Sequence, residues 1–84
     1  MSKEVLWTQE VIDEFIRLGN LSELELKVLK TRVINHWKIP YQAYKFSVSQ
    51  STIDRTIYNL KIKYDACQKR SAILPERDKK SAKL

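Results

Sequence analysis

The side chains that most often carry covalent or metal chemistry are scarce in this 84-residue sequence. His36 is the only histidine and Cys67 the only cysteine, so an intrachain disulfide is impossible and the roughly four ligands of a structural zinc site cannot be assembled. A Ser-His-Asp arrangement would have to use His36, which we interpret as a surface or half-buried residue beside Trp37. The single glycine, Gly19, excludes a glycine-rich phosphate loop. We therefore predict a protein that is not an enzyme and that uses no metal or cofactor.

Hydrogen-bonding side chains, in contrast, are concentrated around residues 47–55. Ser47, Val48 and Ser49 join two short segments with apolar patterning, and a cluster of polar residues opens the second segment. Two ordinary packed helices need no such cluster. The pattern therefore raises the hypothesis that the second segment is turned outward to contact a partner.

Charge is distributed unevenly along the chain. Residues 1–29 contain three Lys/Arg and six Asp/Glu, whereas residues 30–84 contain thirteen and four, for a net charge of +6. This asymmetry indicates one basic surface suited to a polyanion, although solvated lysine-rich faces are also common. No segment approaches the roughly 18 apolar residues of a membrane span, and the opening MSKEVLW lacks the apolar stretch of a signal peptide. We expect a cytoplasmic protein.

Two helices are predicted in the first half of the chain. Thr8 is a good N-cap for a helix over about 9–18, and Gly19-Asn20 supplies a left-handed stop. Ser22 and Glu25 form a capping box for a second helix over about 23–37, where apolar residues recur at helical spacing. Pro40 prevents its continuation.

Two further helices are predicted in the second half. Pro40 fits the first turn of a short helix over about 40–46, and Ser49 caps a long helix over about 50–70. The buried stripe of this last helix is predicted to be Ile53, Ile57, Leu60 and Tyr64. The whole reads as a small all-α bundle of about four helices, one domain over residues 1–74, with a flexible basic tail over 75–84.

The stretch around residues 43–57 resembles the helix-turn-helix DNA-binding family. Its buried pattern is matched by Ala43, Phe46, Val48, Ile53 and Ile57, and its polar face in phage-type repressors by Gln50-Ser51 followed by Arg55. The run LSELELKVL at 21–29 is similar to the opening of LuxR/GerE-type domains and of the sigma-factor domain that reads the promoter −35 element. The resemblance covers about residues 21–64, and the sigma-like variant fits better. Ser47 departs from the family's sequence pattern, which usually has glycine at this position because the turn residue takes a positive φ.

This resemblance implies contacts with duplex DNA. Base-edge contacts are expected from the start of the last helix, at Gln50, Ser51, Asp54 and Arg55. Asp54 has an alternative role, in which it orients Arg55 or Lys61 or is simply solvated. Contacts to the backbone or to flanking bases are expected from a larger set: Arg32, Lys38, Lys45, Ser49, Thr52, Tyr58, Asn59, Lys61 and Lys63. Tyr41 and Tyr44 could form a stacking platform for single strands, but core and rim positions against Trp37 are favoured.

We expect the function to be sequence-specific binding of double-stranded DNA by a bacterial or phage transcriptional regulator. Because one helix reads only a few base pairs, a homodimer or docking on RNA polymerase is also expected. The alternative is a protein-interaction module on the same scaffold, served by the acidic first helix with Glu10, Asp13 and Glu14 and docking through Trp7, Val11 or Phe15. A phage DNA-packaging or replication protein would share the DNA-binding chemistry. No membrane or small-molecule partner is expected.

Overall fold

The computed structural model describes residues 7–75, which form four α-helices and no strand. The helices are α1 (Gln9–Gly19), α2 (Glu23–Val33), α3 (Ile39–Phe46) and α4 (Gln50–Gln68). The long α4 lies at the centre and packs against each of the other three. The predicted all-α class is confirmed, and none of the described helices is long and apolar enough to cross a membrane.

The first two helices begin at the N-cap residues that the sequence predicts, Thr8 and Ser22. The Val11 amide donates to Thr8 Oγ1 at 3.2 Å. The capping box of α2 is complete, because the Glu25 amide donates to Ser22 Oγ at 3.3 Å and the Ser22 amide donates to Glu25 Oε1 at 2.8 Å. Each contact satisfies an amide that the first turn of a helix leaves without a backbone partner.

The left-handed stop after α1 is at Asn20, with φ 49°. Gly19 remains helical, and its lack of a side chain serves packing: a Cβ there would lie 3.0 Å from Cε1 of Phe15. Glycine therefore allows the end of α1 to approach the Phe15 ring.

The prediction that α2 runs to Trp37 is wrong, because α2 ends at Val33. The chain turns through Asn35 to His36, which takes the left-handed φ of 57°, and the Trp37 amide donates to the Thr31 carbonyl at 2.9 Å. Trp37 still follows the apolar spacing because it packs on α3, with its ring centroid 4.7 Å from that of Tyr41. The apolar spacing therefore reflects the packing of Trp37 against α3 and does not mean that α2 continues to Trp37.

The core is built around one face of α4. Its predicted stripe of Ile53, Ile57, Leu60 and Tyr64 is buried, and Cys67 extends it by one turn. Further buried residues come from α1, α2 and α3: Val11, Phe15, Val28, Leu29 and Ala43.

The chain after α4 folds back onto this core. Leu74 is 3% exposed, the Tyr64 hydroxyl donates to the Pro75 carbonyl, and Ser71 Oγ donates to Glu14 Oε2 at 2.7 Å. We call residues 69–75 the C-terminal strap. Pro75, the first residue of the predicted tail, is therefore held by the domain, and the rest of that tail, 76–84, lies outside the described residues.

Candidate nucleic-acid interface

The turn between α3 and α4 has the backbone conformation that the sequence resemblance implies. Ser47 takes the left-handed conformation, with φ 55° and ψ 44°. The amide of Val48 donates to the Ala43 carbonyl at 3.0 Å, which closes the end of α3. Ser47 therefore occupies a backbone position that glycine would adopt with less strain.

A buried glutamine fixes α3 to α2 and so sets the position of this turn. Gln42 is 0% exposed, and its Nε2 donates to the Val28 carbonyl at 3.1 Å and to Thr31 Oγ1 at 2.8 Å. The sequence gives no sign of this role, because a glutamine in a short helix carries no periodic signal. Its place opposite the buried face of α2 could have been found only from the packing of the two helices.

The first turns of α4 have two sharply different faces. Ile53 is 0% exposed and Ile57 6% exposed, so this side is fixed in the core. The expected base-contacting residues all lie exposed on the rest of the helix surface: Gln50, Ser51, Asp54 and Arg55. Spacings of one, four and five residues group these side chains on one side of a helix. The structure thus brings the four together on an accessible surface.

Ser49 and Thr52 are engaged in starting α4. Ser49 Oγ accepts from the Thr52 amide at 3.2 Å, and the two hydroxyl oxygens lie 2.9 Å apart. This cap fixes where α4 begins and hence where Gln50 and Ser51 point. Any contact of the two hydroxyls with a ligand would come in addition to this capping role.

Arg32 lies half-buried between α2 and its neighbours. Its Nη1 donates to Gln42 Oε1 at 3.4 Å, and its buried Nε has no hydrogen-bond partner among the described residues. Burial lowers the pKa of Arg32, while attraction to Asp54 acts in the opposite direction. The Asp54 carboxylate thus acts on Arg32 electrostatically, from α4 to α2.

Lys63 has a structural partner. Its Nζ lies 2.6 Å from Glu25 Oε1 and 3.4 Å from the carbonyl oxygen of Asn20, at the junction of α1, α2 and α4. Desolvation by burial raises the pKa of Glu25, but its hydrogen bonds from Lys63 and the Ser22 amide outweigh this and leave the pKa lowered. A phosphate contact from Lys63 would have to compete with this ion pair.

The remaining residues of the expected backbone set lie at or near the surface. Lys38, Lys45, Tyr58 and Asn59 are exposed, and Lys61 is half-buried on α4. Tyr58 is 64% exposed, one turn beyond Asp54 and Arg55. Lys38 and Lys45 lie at the two ends of α3, and the other three lie on α4.

The tyrosines of α3 differ from the favoured expectation. Tyr44 is 78% exposed and Tyr41 is 44% exposed, so neither is a core residue. The two rings lie 6.4 Å apart between centroids, and Lys45 Nζ lies 5.7 Å from the centroid of Tyr41. We call Tyr41, Tyr44 and Lys45 the α3 aromatic face. The tyrosines stay outside because the buried side of this short helix is already filled by Gln42 and Ala43.

The sequence that leads up to Asp54 has charge of one sign over a long stretch. The sequence from Leu26 to Ile53 contains five basic residues and no Asp or Glu. This stretch supplies most of α2, all of α3, the turn and the start of α4. It is the part of the described chain best suited to a polyanion.

Groups for metal or nucleophilic chemistry are not brought together in the part of the chain that the structure describes. Within residues 7–75, no three His, Cys, Asp or Glu side chains are placed to hold a metal ion. Cys67 is buried in the core, and His36 is exposed in the turn after α2. Comparison of the chain with family models, with curated proteins and with solved structures found no match in any of the three.

Proposed function

We propose that this protein binds double-stranded DNA in a sequence-specific manner, with the first turns of α4 lying in the major groove. The observation that carries the proposal is the division of α4 into two faces. Ile53 and Ile57 anchor one face in the core, while Gln50, Ser51 and Arg55 are exposed on the other. A helix held in this way can enter a major groove of about 12 Å width without disturbing the core.

The exposed residues have the chemistry for reading base edges. Gln50 can pair with N6 and N7 of adenine, and Arg55 with O6 and N7 of guanine. Asp54 could accept from N4 of cytosine. We assign direct base contacts to Gln50, Ser51, Asp54 and Arg55, which are exposed together at the start of α4.

The basic residues beside α4 suit the sugar-phosphate backbone. Lys38 and Lys45 are exposed, and no Asp or Glu lies in the sequence between Leu26 and Ile53 to oppose them. Contacts of this type supply most of the affinity and little of the sequence preference. Lys63 is a weaker candidate than these two because Glu25 already pairs with it.

The biological role in this proposal is that of a bacterial or phage transcriptional regulator. One reading helix contacts only a few base pairs, so useful specificity requires a second copy of the chain or docking on RNA polymerase. Sedimentation of the protein with and without its DNA site tests the first form. A 1:1 complex on a site with no repeated half-site would exclude the homodimer.

The protein-interaction alternative keeps the exposed acidic residues Glu10 and Asp13 of α1, but its apolar contacts are packed in the domain. Val11 is 7% exposed and Phe15 is 0% exposed, and Trp7 is half-buried with its ring centroid 6.2 Å from that of Phe15. These residues pack in the domain and present no docking face. DNA packaging or replication would use the same contacts as transcription and is separated from it by the genomic position of the bound site.

The experiment is selection of bound duplexes from a randomised library, followed by affinity measurement at several salt concentrations. We expect a short shared sequence to emerge and log affinity to fall with log salt at a slope of about −0.9 per phosphate neutralised. Equal affinity for selected and scrambled duplexes would contradict sequence-specific reading. Affinity independent of salt would contradict DNA binding by these residues altogether.

A further inference from the structure

Tyr41 and Tyr44 of the α3 aromatic face have no role in the proposed docking of α4. Tyr44 is 78% exposed, the largest exposed fraction among the large apolar side chains of the described chain, and Tyr41 beside it is 44% exposed. Their rings are inclined by 36° to each other, with centroids 6.4 Å apart. The Trp37 ring packs against Tyr41 edge to face, with 4.7 Å between the two ring centroids. The face therefore consists of two exposed tyrosine rings, one of which, Tyr41, is held in place by Trp37.

Positive charge surrounds these rings. Lys45 Nζ lies 5.7 Å from the centroid of Tyr41, and Lys38 is exposed at the start of the same helix. The sequence of α3 contains no Asp or Glu. Glu23 lines the shallow groove next to Lys45, but its carboxylate is paired with Lys27 at 3.2 Å. A ligand that covers this face should carry negative charge and flat apolar groups together.

We propose that the α3 aromatic face binds a single-stranded nucleic acid, with an unpaired base stacked on Tyr44 and the adjacent phosphate near Lys45. Base stacking on aromatic rings combined with a basic surface along the backbone is how proteins hold single strands with little sequence preference. Lys38 and Lys45, exposed at the two ends of α3, are the groups available to the phosphates. This inference shares Lys38 and Lys45 with the proposed duplex binding, but its distinguishing residue is Tyr44, which has no part in the major-groove docking of α4.

The charge distribution decides between this occupant and a second copy of the chain. A symmetric contact through α3 would bring Lys38 and Lys45 of both copies together, and α3 offers no carboxylate to offset them. Like charges placed opposite each other oppose association. A polyanion meets no such opposition, since each Lys then gains a phosphate partner.

The test uses the full chain and fluorescently labelled 12-nucleotide oligo(dT) and oligo(U), followed by fluorescence anisotropy. We expect both strands to bind, with affinity that falls as salt rises, and Tyr44→Ala to weaken binding about tenfold or more because a stacked base is lost. Tyr44→Phe keeps the ring and should retain affinity within about twofold. The ratio of the two oligonucleotide affinities distinguishes DNA from RNA as the preferred strand.

Ile62→Ala is the control, because Ile62 is an exposed apolar residue on α4, at 51%, that belongs to neither proposed binding surface. It should leave single-strand affinity unchanged, and circular dichroism should show both alanine variants folded. The inference is overturned if neither oligonucleotide binds, if Tyr44→Ala binds as well as the parent protein, or if both variants lose affinity equally. Loss of self-association by Tyr44→Ala without any oligonucleotide binding would overturn it in favour of a contact between copies. Selection of a duplex site is measured separately, so its failure and the failure of this inference are distinguishable.

Discussion

Lys63 on α4 and Glu25 on α2 form an ion pair, with 2.6 Å between Nζ and Oε1, across 38 residues of sequence. The same carboxylate oxygen accepts the Ser22 amide at 2.8 Å, so one group both caps α2 and holds α4. The Glu25 residue is 7% exposed. The position of α2 relative to α4, the proposed reading helix, therefore depends on a charged group that is largely removed from water.

Stability should fall in acid partly through Glu25. Because its pKa is lowered in the fold, its contribution is present above the unfolded pKa of about 4.3 and is lost as pH falls through the folded pKa. Urea unfolding measured from pH 3 to pH 7 should show a shallower pH dependence for Glu25→Gln than for the parent protein. Glu14, whose pKa is lowered by hydrogen bonds from Ser71 and Arg17, should account for part of the pH dependence of stability that remains in Glu25→Gln.

Glu23→Gln is the control for that measurement, because it removes a carboxylate of the same helix from an exposed pair with Lys27. It should leave the pH dependence of the parent protein unchanged. Equal flattening in both variants would show that the Glu25–Lys63 pair has no special part in acid stability.

Ser47→Gly should stabilise the domain. Ser47 has a φ of 55°, and glycine reaches this conformation without the Cβ contact, which predicts a gain of up to about 1 kcal/mol in the free energy of unfolding. His36→Gly, at φ 57°, should act in the same direction. Ser51→Gly, inside α4, should instead destabilise by roughly 0.5–1 kcal/mol. Chemical denaturation of the three variants checks this order, and a loss of stability in Ser47→Gly would contradict the turn geometry.

Gln42→Leu should destabilise the contact between α2 and α3. It removes the donors to the Val28 carbonyl and to Thr31 Oγ1 and should cost about 1–3 kcal/mol in the free energy of unfolding. Gln50→Leu changes an exposed glutamine in the same way and should stay within about 0.5 kcal/mol of the parent protein. Urea titration of both proteins measures the difference, which should vanish if the Gln42 hydrogen bonds contribute nothing.

Leu74→Ala should reveal whether the C-terminal strap is part of the cooperative fold. Leu74 is 3% exposed, and truncation of a buried leucine typically costs about 2–5 kcal/mol. Its neighbour Ile73 is 44% exposed, so Ile73→Ala should have a much smaller effect. Thermal unfolding of the full chain separates the two cases. Similar melting temperatures for the two variants would mean that the strap does not stabilise the core.

Arg55→Ala and Lys38→Ala should affect DNA binding in different ways. Loss of Arg55 should weaken binding to the selected duplex by roughly 1–3 kcal/mol and relax base preference at one position. Loss of Lys38 should weaken selected and scrambled duplexes equally and reduce the salt slope by about 1. Anisotropy titrations over a set of single-base variants of the site measure both effects. Unchanged specific affinity in Arg55→Ala would contradict the proposed placement of α4.

Much of the fold could be predicted because it depends on neighbours in sequence. The N-caps Thr8, Ser22 and Ser49 each satisfy an amide three residues ahead, so their residue types suffice to locate the helix starts. The stripe from Ile53 to Tyr64 is likewise visible from spacing alone. The predicted exposure of Gln50 and Arg55 follows from the same stripe, since a helix with one buried face must present the other.

What the sequence could not indicate is which distant groups would meet. The end of α2 was misplaced because Trp37 keeps the helical spacing while packing on α3 from outside the helix. Leu74 and Pro75 gave no periodic signal, because a single buried leucine after a helix has no pattern to belong to. The exposure of Tyr44 was unexpected, since whether a tyrosine is buried depends on how much room the neighbouring helices leave.

The sequence by itself determined where the helices begin and which face of α4 is buried, whereas the positive φ at Ser47 was implied by the resemblance to the helix-turn-helix family. These properties arise from hydrogen bonds and steric contacts within a few residues, so the local chain contains all the groups involved. Only the tertiary structure decided that Glu25 pairs with Lys63, that Gln42 fixes α3 to α2, and that Tyr41 and Tyr44 remain outside. Each of these depends on how rigid helices pack around a shared core, where the partner of a side chain is chosen by geometry and not by its distance along the chain.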